Sequence, residues 1–245
     1  GSTTLIITDK TGTLTQGNMQ LVDIDTTSQL LAPDFSPANH STDFSPDTQA
    51  LLLLARSASD VVIENPEAKP VEWTMSGPLL ETNIVRAAGQ YGITQDAAAR
   101  SDIQTRIPFS SKHKFSVVRI PGHLLPAHLL EFADPHVVMG APDILLDRAN
   151  VSEDERNQLK AAVDAHSRAG RRVLGLALLT PHTSPESITT DHVQNITFLG
   201  VLSFVDPIRV EVPSALKRIN SFGTRVIMAT GDLPGTALAV AEELG

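Results

Sequence analysis

Residues 3–17 read TTLIITDKTGTLTQG, a short apolar and β-branched run that ends on an aspartate and opens into a polar, glycine-bearing loop. The run predicts a strand with Asp9 at its carboxyl end. That edge is where α/β sheets place ligands. A carboxylate there can act as a nucleophile or hold a cation, and Lys10, Thr11 and Thr13 supply neighbouring donors suited to phosphate. The far end of the chain follows the same grammar. EVPSALKRINSFG (211–223) reads as helix, TRVIMATGD (224–232) as strand and loop, and PGTALAVAEELG (234–245) as helix. Such alternation predicts a parallel α/β sheet. It places Thr230, Gly231 and Asp232 on a second strand-edge loop.

Between these ends the pattern changes. Residues 33–48, rich in Pro, Ser, Asp and Asn, read as a surface loop. LLLLARSA (51–58) is a short helix candidate, 60–78 is irregular, and 79–89 returns to helical spacing. Strands are expected at 105–109, 114–120, 136–139, 172–179 and 196–204. A helix is expected over 152–168, where Ser152 and Glu155 form a capping box. The organisation is therefore a mixed helix and antiparallel-strand unit, residues 18–199, inserted into a discontinuous α/β domain built from 1–17 and 200–245.

Bulk properties narrow the function. The chain has 245 residues, 41% hydrophobic and 19% charged, the balance of a folded protein. A net charge of −9 argues against a non-specific nucleic-acid surface. Without cysteine there is no thiol nucleophile, disulfide or cysteine metal site. The longest apolar run, LLLLA at 51–55, is far short of a membrane span. The opening Gly1-Ser2, with no initiator methionine, reads as an excised piece rather than a natural start.

The string DKTGTLT (9–15) resembles the phosphorylation signature of P-type ATPases. TGD (230–232) resembles a second motif of that family, whose threonine helps bind the transferred phosphate. Asp206-Pro207-Ile208-Arg209 is similar to its DPPR segment, with Ile in place of the second Pro. Four segments between them align in order. LLETNIVRAA (79–88) resembles the helix whose glutamate, here Glu81, contacts the adenine amino group. IPFSSKHKFSVV (107–118) resembles the adenine-binding segment, in which Phe109 stacks on the base, Ser111 lies in the loop, and Lys114 meets the phosphates or closes the pocket. VMGAPDILL (137–145) resembles the KGAPE-type motif and marks Gly140. RRVLGLAL (171–178) resembles the strand whose arginine, here Arg172, reaches the phosphates. An aromatic face beside a cation suits a base bearing a polyphosphate; alone, it is also what a core Phe beside a solvated Lys looks like. Met139 departs from the pattern, since the family often has lysine there. Losing one charge-assisted contact of about 1.5–3 kcal/mol would weaken ATP binding about ten- to a hundredfold, which leaves Met139 as a wall.

The resemblance implies a HAD-like, Rossmannoid phosphorylation domain that is truncated here, with an α+β nucleotide-binding domain inserted into it. It implies ATP and Mg²⁺ as cofactors, with Asp9, Lys10, Thr11, Thr230, Gly231 and Asp232 at the chemistry. Asp9 and the Thr11 carbonyl would be metal ligands, and Asp206 and Arg209 would lie on the nucleotide side. In the whole protein, ATP would phosphorylate Asp9, and hydrolysis of the acyl phosphate would drive a cation across a membrane. The FSSKHK and MGAPD segments point to the Ca²⁺/Mg²⁺/Na⁺-pump-like branch. The family's GDGxND motif, its TGES-bearing actuator domain and its transmembrane helices are not among these residues. The fragment is accordingly expected to bind ATP as the cytoplasmic part of a membrane protein, yet to be catalytically impaired, because Mg²⁺ wants six oxygens and phosphoryl transfer needs that metal in place. Two rival readings stay open: a soluble HAD-like phosphatase, against which Thr11 stands where such enzymes carry a second acid, and a stand-alone adenine-nucleotide module.

Overall fold

Four of the apolar runs marked as strands form the middle of one sheet, because each has two hydrophobic faces to bury. The structure is a computed structural model describing residues 3–37, 45–93, 103–122, 125, 135–179, 188–231 and 234–244. Its strands are β1 (Leu5–Asp9), β2 (Gln20–Thr26), β3 (Val62–Ile63), β4 (Met75–Ser76), β5 (Gln104–Ile107), β6 (Phe115–Arg119), β7 (His136–Gly140), β8 (Arg172–Leu179), β9 (Thr197–Val205) and β10 (Arg225–Ala229). The helices are α1 (Thr27–Leu30), α2 (Pro46–Ala58), α3 (Leu79–Gln90), α4 (Pro142–Arg148), α5 (Glu153–Arg168), α6 (Val212–Ser221) and α7 (Pro234–Leu244).

The main sheet has six strands in the order β2-β9-β8-β7-β6-β5, and every neighbouring pair is antiparallel. Side chains alternate across it, so successive residues feed two different cores. Phe115, Val117, Val138, Ala177 and Val201 pack on one face with Leu145, Leu146, Leu159 and Val163 of α4 and α5. Val137, Met139, Leu176, Leu178, Leu202 and Phe204 pack on the other with Leu51, Leu52, Leu54 of α2 and Ile84, Ala88 of α3. Each fully buried Leu or Phe contributes about 1.5–3 kcal/mol of transfer free energy, so this sandwich is the stable body of the molecule. β1 and β10 form a separate parallel pair, with Leu5 opposite Arg225 and Asp9 opposite Ala229.

The expected helix over 152–168 is α5, and its cap is the one read from sequence. Ser152 Oγ accepts from Glu155 N at 3.3 Å, and Glu155 accepts back from Ser152 N at 2.9 Å. α2 begins earlier than LLLLARSA suggests. Ser45 caps it and Pro46 occupies its first turn, so residues that look like loop start a helix. β2 was not foreseen. Its Asp23 and Asp25 are buried, at 5% and 1% exposure, where a half-buried strand normally shows apolar residues. They are tolerated because each meets a partner. Arg171 Nη1 donates to Asp23, and His166 Nε2 lies 3.1 Å from Asp25 Oδ2. Ser203 Oγ lies 3.1 Å from the other ring nitrogen of His166.

A boundary at residue 200 would cut through β9, which stays with the main sheet to Val205, opposite Gln20. The crossover between the two sheets is instead held by the segments on either side of it. Thr15 bridges Ile208, Gln16 N donates to the Pro207 carbonyl at 2.9 Å, and Arg209 N donates to the Leu14 carbonyl at 3.0 Å. Among the described residues no helix is long and apolar enough to cross a membrane.

Candidate functional site

Three segments meet at one end of the main sheet, on the α3 side. α3 starts after Pro78 and projects Glu81 from its first turn. The loop 108–114 leads into β6, and Lys114 takes φ +59, a left-handed turn that brings the chain into the strand. Its backbone N donates to the Ser110 carbonyl at 2.8 Å, and its carbonyl accepts from Ala141 N at 2.9 Å. β7 ends alongside at Gly140, opposite Phe115. A Cβ at Gly140 would lie 2.4 Å from the Lys114 carbonyl oxygen and 2.6 Å from Phe115 Cα. Only glycine permits that approach.

The result is a cleft of about 620 Å³, lined among others by Glu81, Phe109, Ser111, Lys114, Met139 and Arg172. The volume lies in the range of ligand pockets. Glu81, Phe109, Ser111, Lys114 and Arg172, singled out from three separate stretches of sequence, thus share one cavity. Its floor is the margin of the α2/α3-side core, since Met19, Leu80, Met139 and Leu174 belong to both. Met139 is 3% exposed and forms wall rather than a polar contact. Phe109, by contrast, is 61% exposed, so its ring is not a core side chain. Gly140 does not line the cleft; it sets the distance between two strands that do.

The cleft carries charges of both signs. Lys114 and Arg172 are exposed cations, and Glu81 is a half-buried acid. Burial pushes the Glu81 carboxyl above its usual range, and the neighbouring Asp60 pushes it further. The Asp60 N–H, which donates to Glu81 at 2.6 Å, works in the opposite direction. A cleft lined by an exposed aromatic face, an acid and two cations can hold a flat, hydrogen-bonding ring that carries anionic groups.

A second recess of about 870 Å³ adjoins the first and shares Met19, Pro142, Arg172 and Val173 with it. Lys10, Arg171, Asp206 and Gly231 are on its wall. Asp9 stands exposed at the carboxyl end of β1, beside the end of β10, so Thr230 and Gly231 follow on the neighbouring strand edge. In the loop after Asp9, Gly12 takes φ +77, a conformation that favours glycine. Thr11 and Thr13 are exposed and Lys10 is buried. Asp232 lies outside the described residues.

Asp206 and Arg209, expected on the nucleotide side, do not line the first cleft. Their side chains tie the loop after Asp9 in place. Asp206 accepts from Thr15 Oγ1 at 2.6 Å and from Asn18 N at 3.1 Å, and Arg209 donates to the Gly12 carbonyl at 3.0 Å. Sequence reasoning also passed over Met19, Leu80 and Leu174 as cleft residues. Only the sheet order, which brings β2, β8 and α3 together, identifies them.

Residues 47–211 match the family profile described as "P-type ATPase, cytoplasmic domain N". The chain is 30% identical over 279 aligned positions to "Potassium-transporting ATPase alpha chain 2" of Cavia porcellus, covering 100% of this chain and 26% of that protein. It is 29% identical to the protein of the same name from Oryctolagus cuniculus, again over its full length but 24% of the relative. The chain thus spans about a quarter of the length of these curated relatives. The antiparallel sheet with helices on both faces fits the matched domain. On the family match over 47–211 and this full-length similarity, the chain belongs to the P-type ATPase family.

Proposed function

We propose that this chain provides the ATP-binding cleft and the phosphate-accepting edge of a membrane cation pump. The observation that carries the reading is the convergence of Glu81, Phe109, Ser111, Lys114 and Arg172 on one cleft. Phe109 stacks on the adenine ring, Glu81 accepts from its amino group, and Lys114, Arg172 and the Ser111 hydroxyl meet the phosphates. Gly140 keeps the two strands close enough for these groups to converge. The adjoining recess, with Arg172 on both walls, gives the polyphosphate a direction to extend.

The domain division follows from the same reading. Residues 3–17 and 206–244 form a partial HAD-like phosphorylation domain, and 18–205 form the nucleotide-binding domain. In the whole pump an Asp9 carboxylate oxygen attacks the γ-phosphorus of ATP, the bond to the β–γ bridging oxygen breaks, and ADP leaves. Water then cleaves the acyl phosphate. Lys10, Thr230, Gly231 and Asp232 hold the transferred group. The Asp9 carboxylate and the Thr11 carbonyl are hard oxygen donors, the type Mg²⁺ takes, and would hold it together with phosphate and water oxygens. Bound there, Mg²⁺ supplies neutralisation of the phosphate charge. Actuator and membrane domains, outside this chain, would couple the cycle to cation movement.

Calorimetric titration of ATP into the wild type and Phe109→Ala tests the cleft. Losing base–aromatic stacking of about 1–3 kcal/mol weakens binding roughly 5- to 150-fold. Equal affinities would reject the reading.

A further inference from the structure

One residue of the loop 108–114 has an arrangement that the proposed ATP contacts do not use. His113 Nε2 lies 3.1 Å from the Pro108 carbonyl oxygen, and its Nδ1 lies 2.7 Å from Ser110 Oγ. These two partners are the residues immediately before and after Phe109. A carbonyl can only accept, so Nε2 carries a proton and donates it to Pro108, while Nδ1 shares a hydrogen bond with the Ser110 hydroxyl. The ring itself is anchored. It packs on Phe115 with centroids 4.7 Å apart. Phe115 is fully buried, with the Arg148 guanidinium 5.3 Å from its ring centroid.

From this geometry we infer that His113 is a positioning residue for the nucleotide: it ties the Pro108 carbonyl and the Ser110 hydroxyl, on either side of Phe109, to the core and so fixes the pose of that exposed ring. This deepens the ATP reading and rests on it. An exposed phenylalanine in an untethered loop would populate several orientations, and the ligand would have to select one. A ring held in advance does not carry that ordering cost. The neighbouring left-handed turn at Lys114 belongs to the same tether, since its backbone N also bonds residue 110. The loop's aromatic and its lysine are therefore set by one clamp.

The test is a double-mutant cycle on ATP affinity, by calorimetry on the full chain. His113→Ala is expected to weaken ATP binding about three- to tenfold, the scale of ordering one side chain. Ser110→Ala removes one arm of the clamp with little risk to folding and should give a smaller loss in the same direction. His113→Gln, which can still donate to the Pro108 carbonyl, should recover part of the affinity. In a Phe109→Ala background, neither His113→Ala nor Ser110→Ala should lower affinity further, because each acts through the missing ring. Long-range imidazole ¹H–¹⁵N spectra should show the Nε2–H form of His113 and lose its Ser110 signature in Ser110→Ala. Full additivity of the losses, or wild-type affinity in both His113→Ala and Ser110→Ala, would overturn the inference and leave the ATP reading standing. If Phe109→Ala binds ATP as well as the wild type, both fall together.

Discussion

Replacing Gly140 by alanine adds a single methyl group where β7 closely approaches the start of β6. The new Cβ would lie 2.4 Å from the Lys114 carbonyl oxygen, 2.5 Å from Phe115 Cβ and 2.6 Å from Phe115 Cα. Ordinary contact begins near 3.4 Å, so the methyl is roughly 1 Å too close to each, deep in the repulsive wall. No flexible side-chain tip can give way, because two of the three atoms are backbone and the third is bonded to it. β6 and β7 must part, which weakens the Phe115–Gly140 pairing and the bond from Ala141 N to Lys114. Overpacking of this kind costs about 1–3 kcal/mol. For a domain of this size each kcal/mol lowers Tm by about 2–4 °C, so the expected fall is roughly 2–12 °C by scanning calorimetry. ATP affinity should also fall, and by more than in Leu159→Ala, a buried α5 position of comparable or larger stability cost that does not line the cleft. An unchanged Tm in Gly140→Ala would refute the close approach. A loss of ATP binding no larger than in the Leu159→Ala control would refute its role in shaping the cleft.

Other outcomes follow from the same coordinates. Burial raises the Glu81 carboxyl pKa, so its ionisation opposes folding; stability from this group is present below its ordinary value of 4.5 and declines as pH rises through the raised value. Glu81→Gln should therefore gain thermal stability relative to wild type as pH climbs through that window, and a gap that is flat or shrinks with pH contradicts the cause. His166→Ala removes a fully buried ring that lies against Asp25 and bonds Ser203; losing such a buried hydrogen-bond partner should cost about 1–3 kcal/mol in urea unfolding, and an unchanged midpoint would show that the contact is immaterial. Asp206→Ala should free the loop after Asp9, seen as faster amide exchange at Asn18, whose N–H donates to that carboxylate; unaltered exchange would show that Asp206 does not hold the loop.

What could be read without coordinates was whatever had a local cause. α5 announces itself by its capping box and helical spacing, and β6 to β9 by apolar runs bounded by turns. β2 was hidden because its inward positions carry Asp23 and Asp25, whose partners Arg171 and His166 stand far along the chain. No window of neighbouring residues contains that compensation. The start of α2 was hidden for a different reason: Ser45 and Pro46 favour loops and helix starts alike. Among candidate site residues, Glu81, Phe109, Ser111, Lys114 and Arg172 were found by motif, and the structure adds that they share a cavity. The loop-tethering contacts of Asp206 and Arg209 span nearly the whole chain and have no sequence signature, whereas the two hydrogen bonds of His113 around Phe109 are local but need the loop's backbone conformation to be seen.

The central claim is that an adenine nucleotide occupies the cleft between α3, the loop 108–114 and the ends of β7 and β8. Backbone ¹H–¹⁵N spectra recorded during ATP titration address it most directly. Shifts should concentrate at Glu81, at 109–114, at 139–141 and at 172–174, while the exposed Val210 and Phe222 stay still. Saturating ATP with no movement at Glu81 and Phe109, or with the largest changes on the β3–β4 hairpin, would contradict the account.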